Sequence, residues 1–213
     1  MRRACPTALC GLLLAVIGAG AASAHPHVFV EAKAEILFAP DGVVQAIRHR
    51  WSFDEAYSAY ITQGLDKNGD GKLSSDELAE LAKINVESLP DVEFFTAAKL
   101  NGRKQEFGTP GGEVMSFDGK ILTLTYTLPL KNPAKARSFG IEIGDPTYFV
   151  AFNIVDAPDA VVTTGAPEGC LVRVSRPPKL DDDTQKRLAE ADITATPDVS
   201  GLEITTRALV ACP

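Results

Sequence analysis

The sequence predicts a mainly β (α+β) protein: a β-sandwich-like domain with an inserted helix–loop–helix segment of EF-hand type between its second and third strands. Three observations carry this. Short runs of β-branched and aromatic residues recur between Gly and Pro turns along most of the chain. The apolar spacing changes from period two to a helical period across residues 53 to 86. Inside that stretch, Asp66 to Glu77 presents oxygen-bearing side chains in the order that a calcium loop requires.

The chain opens on Met1-Arg2-Arg3, then a short apolar stretch through Leu12 to Ile17, then Ala22-Ser23-Ala24. This is the plan of a secretory signal peptide cut after Ala24. It predicts export to the periplasm, a signal at 1–24, and a single β-rich domain at 25–213 with the insertion at about 52–90. The apolar stretch is short for a membrane span, which takes roughly 20 residues, and no later segment is longer. A soluble processed chain is therefore expected. The net charge of −7 carries no basic stripe and excludes nucleic acid as a partner.

Residues 27–38 and 43–51, joined by Pro40-Asp41-Gly42, read as a hairpin. Phe53, Ala56, Tyr57, Tyr60 and Ile61 then recur at helical spacing, with Ser52 and Glu55 as a capping box. A second helix is expected from about 75 to 86, ending before Pro90. Strands follow at 94–100, 121–128, 139–143, 148–154, 170–174 and 202–210, with Asn101-Gly102 as a hairpin turn. A polar helix is expected at about 182–191.

In the twelve-residue loop, Asp66, Asn68 and Asp70 supply side-chain oxygens and Gly71 the sharp turn. Lys72 offers its carbonyl, Ser74 a water-mediated contact, and Glu77 a bidentate carboxylate. Calcium, a hard cation, suits this all-oxygen set; an ion-free Asp/Gly turn is the alternative. Sensor loops come in pairs, and one loop stands here, so a structural calcium is expected.

Cys5 and Cys10 leave with the signal, and Cys170 and Cys212 remain. In an oxidising compartment an even pair predicts a disulfide. A Cys–Cys metal site is the alternative, without a C-x-x-C pair or neighbouring His in its favour.

Cleavage after Ala24 gives His25 a free α-amine beside its imidazole, a histidine brace. His27 lies on the same face of an extended segment and offers a third nitrogen. Such a set suits nickel, cobalt, copper or zinc. Pro26 has no N–H to lose, which excludes the square-planar site built on deprotonated amides. Two polar residues at a frayed terminus are the plain alternative. His49, between Arg48 and Arg50, is read as a surface residue, paired near Ala32 to Ala34 and remote from His27.

Six segments together carry a resemblance: His25-Pro26-His27, Trp51 to Glu55, Asp66 to Glu77, Asp145 to Phe152, Gly169-Cys170 and Ala211-Cys212-Pro213. The chain resembles, over nearly its whole length, a family of bacterial periplasmic proteins described as the periplasmic component of a transport system. That family is often associated with nickel/cobalt-type permeases. The resemblance implies transition-metal handling beside an inner-membrane metal permease. It places Asp145 near the N-terminus as a further oxygen ligand, although an Asp-Pro turn beside a buried Tyr148 is the plainer role.

The leading expectation is a metal-handling exported protein, binding a transition metal at His25 and His27 and calcium at Asp66–Glu77. The alternative is a calcium-stabilised interaction module. An enzyme is not expected: no Gly-x-Ser-x-Gly elbow, phosphate loop or zinc-protease helix is present. Copper oxidation chemistry at a histidine brace is the remaining enzymatic reading.

Overall fold

The computed structural model describes residues 26–190 and 198–213. The segment 1–24 expected to be a signal peptide and His25 lie outside the described residues, as does the end of the helix expected to reach 191. The order of elements is β1 (Val28–Phe38), β2 (Val43–Phe53), α1 (Glu55–Ile61), α2 (Ser75–Ser88), β3 (Thr96–Leu100), β4 (Arg103–Lys104) and β5 (Gly111–Phe117). It continues with β6 (Leu122–Lys135), β7 (Ser138–Ile143), β8 (Val150–Ile154), β9 (Val161–Thr164), β10 (Leu171–Ser175), α3 (Asp182–Ala189) and β11 (Thr206–Ala211). A 3-10 segment, Leu89–Phe95, links α2 to β3.

Two sheets enclose one apolar core. The first runs β5-β6-β2-β1-β8, with β9 also on β1, and the second runs β10-β11-β7-β3-β4. The expected β-rich architecture, with its helical insertion between the second and third strands, is what the chain forms. No described helix is long and apolar enough to cross a membrane.

The β1–β2 hairpin forms in the register expected, with Ala34 opposite His49 and Ala32 opposite Trp51. Asn101 and Gly102 both take positive φ, 50° and 81°, as a two-residue hairpin turn requires. Three strands were not anticipated. β4 is two residues long, β5 begins on Gly111-Gly112, and β9 is four residues pairing in parallel with distant β1. The expected Ser52 cap is also corrected. Ser52 and Phe53 still belong to β2, and Ser52 Oγ bonds to Thr123 Oγ1 at 3.0 Å. Asp54 caps α1 instead, accepting from Tyr57 N at 2.9 Å. Its second oxygen accepts from Phe29 N at 2.9 Å, tying the helix to β1. α2 keeps its expected start, with a reciprocal Ser74–Glu77 capping box, and buries Leu78, Ala82 and Val86 against β5.

His49 is the main correction to the sequence reading. It is 0 % exposed and points into the core. Ile47, His49, Trp51 and Phe53 share the inward parity of β2, while Arg48 and Arg50 point out. The His49 ring stacks on Tyr126, with centroids 5.0 Å apart. Trp51 meets Tyr126 edge-on at 5.1 Å and His49 at 5.4 Å. Thr96 of the opposite sheet brings its hydroxyl to 3.5 Å from His49 Nε2. Burial holds the imidazole neutral, with its pKa lowered to about 3.

The Cys170–Cys212 disulfide is formed, with an S–S distance of 2.06 Å and a sequence separation of 42. It joins the start of β10 to the residue after β11, so the sheet's edge strand is held covalently. On loop-closure entropy, replacing both cysteines by serine lowers stability by about 4 kcal/mol. Denaturant melts of the oxidised protein and the double variant check this.

His49 sets a second expectation. A solvated imidazole titrates near 6.5, so on acidification the unfolded chain takes up this proton first. Its contribution to stability is complete above that value and is lost as pH falls toward about 3. The slope is up to about 1.4 kcal/mol per pH unit. Urea midpoints should already fall between about pH 6.5 and 5, before carboxylates titrate. His49→Gln should flatten that part of the curve; an unaltered slope would assign it to another group.

Candidate functional site

Two places gather the residues that the sequence singles out. The first is the loop between α1 and α2. Gly71 takes φ 78°, as the sharp turn demands. Asp66 Oδ1 accepts from Gly69 N at 2.7 Å and Oδ2 from Gly71 N at 2.9 Å. Asn68 Oδ1 accepts from Asp70 N and Asp70 Oδ1 from Lys72 N, both at 2.8 Å. Glu77 closes the loop. Its Oε1 accepts from Lys67 N at 2.9 Å, and its Oε2 from Ser74 N at 2.9 Å and Ser74 Oγ at 2.8 Å. These bonds, those from Ser74 foremost, hold the Glu77 carboxyl ionised, with its pKa lowered to about 2.

The loop therefore has its turn, its exit helix and an ionised closing carboxylate in place. Its carboxylates spend their oxygens on backbone N–H groups instead of converging. Among the described residues, no three His, Cys, Asp or Glu side chains are gathered in a metal-holding arrangement. The donor set of Asp66, Asn68, Asp70, the Lys72 carbonyl, Ser74 and Glu77 fits the chemistry of calcium.

The second place is the start of β1. His27 N donates to Phe149 O at 2.9 Å, and the two rings lie 4.5 Å apart. β1 and β8 run parallel from this point, with Val28 opposite Val150. The Asp145–Phe152 motif thus lies beside the N-terminal segment. Asp145, 5 % exposed, takes the turn role. Its carboxylate accepts from Thr147 N at 2.8 Å, Thr147 Oγ1 at 2.7 Å and Val150 N at 3.0 Å. Tyr148 is half-buried and left-handed, at φ 56°.

Phe149 also lines a cavity of about 630 Å3, bordered by Asp91, Glu93, Glu142, Asp145 and Thr96. Two backbone segments around it are strained. Glu93, Phe94 and Phe95 all have positive φ, at 49°, 60° and 46°, and Tyr148 joins them. Left-handed conformations cost non-glycine residues about 1–2 kcal/mol each. Such outliers cluster where function demands them. Asp91, Glu93 and Glu142 were not identified from sequence. Asp91 and Glu93 share the 3-10 segment but lie about fifty residues from Glu142, and only the meeting of that segment with β3 and β7 unites them.

No curated protein matches the chain. A family model described as a protein of unknown function, DUF1007, matches residues 10–212. That match spans nearly the whole chain and includes both the calcium-type loop and the cavity beside His27, and the chain belongs to this family.

Proposed function

We infer that this is a metal-handling exported protein, taking a transition metal at its processed N-terminus and calcium at the Asp66–Glu77 loop, and serving a membrane metal permease. One observation carries the reading. His27 is pinned to Phe149, on the rim of a strained cavity lined by four carboxylate residues. Cleavage after Ala24 sets the α-amine and imidazole of His25 two positions away. Nitrogen ligands from His25 and His27 would select nickel, cobalt, copper or zinc. The carboxylates beside them raise the local concentration of cations. Asp145 shapes the turn that leads to Phe149, its carboxylate accepting from Thr147 and Val150.

Titration of the protein bearing its authentic His25 terminus, against one with an added N-terminal Met, tests this. Nickel, copper or zinc should bind the authentic form tightly and the extended form at least about tenfold more weakly. Equal affinity for both forms sinks the brace. Binding by neither leaves the calcium-stabilised interaction module as the better reading.

Calcium is expected to be weak and structural. Exported loops of this kind bind at about 10⁻⁴–10⁻³ M, and Glu77 gives up hydrogen bonds to Ser74 and Lys67 when it turns to the ion. Calcium at about 10 mM then stabilises by about 1.4–2.7 kcal/mol. Thermal melts with calcium and with chelator read this shift, and Glu77→Gln should remove it. A shift retained in that variant places the ion elsewhere.

A further inference from the structure

The outer face of the five-stranded sheet carries a charge opposite to that of the whole chain. Strand register lines up Lys104, Lys99, Gly140, Leu209 and Arg173 in one row across β4, β3, β7, β11 and β10. The next row holds Ala97, Glu142, Arg207 and Ser175. Four cations thus share this face with one carboxylate, in a chain of net charge −7. Glu142 is already matched by Arg207 Nε at 3.2 Å. Lys99, Lys104 and Arg173 have no carboxylate partner among the described residues. Lys99 stands directly opposite Lys104, a like-charge pair that works against the sheet.

Between these cations the surface dips into a trough of about 460 Å3. Gly140 forms its floor, and the fold does not need a glycine there. Pairing is regular on both sides of it, without a bulge. Its φ is not in the left-handed region. A Cβ built on it would meet only Ala208 O and Leu209 Cδ1, both at an ordinary 3.9 Å. Glycine inside a strand is destabilising relative to alanine, and it marks places where a ligand or another backbone comes close. A flat bilayer would rest on the lysine tips and leave that floor untouched.

We propose that this trough binds an extended acidic polypeptide segment of a partner protein, its carboxylates on Lys99, Lys104 and Arg173 and its backbone over Gly140. Leu209, 46 % exposed, gives the intervening side chains an apolar contact. This surface is independent of the metal reading, since none of these three cations lines the acidic cavity.

Fluorescence anisotropy with a short fluorescein-labelled peptide of alternating glutamate and alanine tests it. The peptide should bind the processed protein at low ionic strength and weaken as salt is added. The double variant Lys99→Glu/Arg173→Glu should lose at least about tenfold in affinity. Gly140→Ala, whose Cβ has room, should lose a comparable factor without any fall in melting temperature. Absence of peptide binding, or binding that survives both variants, overturns the proposal. So does binding of phosphatidylglycerol vesicles without binding of the peptide, which makes the face a lipid surface.

Discussion

The fold hangs on β1 being hydrogen-bonded along both edges. One edge pairs with β2 from Val30 to Phe38. The other is shared in parallel by β8, over Val28 to Ala32, and by β9, over Ala34 to Leu37. Every second residue of the strand, from Val28 to Phe38, is buried. Two of these are alanines, and register places them opposite two rings of β2: Ala34 against His49 and Ala32 against Trp51. Small residues on the central strand make room for large rings on its neighbour, the alternation that close packing requires. The same strand begins one residue after His27, so the position of the N-terminal segment follows from the best-supported part of the sheet.

The rings that fill this space bring polar atoms with them. His49 Nδ1, Trp51 Nε1 and Tyr126 OH have no hydrogen-bond partner among the described residues. Each such group costs about 1–3 kcal/mol. The cluster is thus paid for by its apolar area and ring contacts, and His49 contributes as a neutral aromatic. That settles its relation to His27. Counted along β1, the two histidines lie seven residues apart, roughly 23 Å at strand spacing. They cannot share a metal, and the basicity of His49 is a liability to stability, not a tool.

Local signals explain what could be read in the sequence. The hairpin, the Asn101-Gly102 turn, the start of α2 and the cysteine pair each depend on neighbours in sequence or on an even count of cysteines. The inward side of His49 was legible too, since it shares parity with Ile47, Trp51 and Phe53; the flanking arginines masked it. The Asp54 cap was hidden by Ser52, whose hydroxyl pairs across to β6. β9 and the acidic cavity are different. A four-residue parallel strand and a cavity bordered by residues 91, 93, 142 and 145 depend on pairings more than a hundred residues, or nearly fifty, apart. No local pattern encodes them.

Those non-local pairings also divide the surface charge. Glu142 borders both the acidic cavity and the cationic trough, while Gly140, two residues earlier on the same face of β7, forms the trough floor. A carboxylate at that junction would ordinarily weaken the positive field of the trough. Its ion pair with Arg207, from the adjacent strand, cancels most of that effect. The cation on β11 thereby separates two regions of opposite sign that lie on one strand. Exposed pairs contribute little to stability, so the value of Arg207–Glu142 lies in where the charges are held, at the junction of the acidic cavity and the cationic trough on the five-stranded sheet.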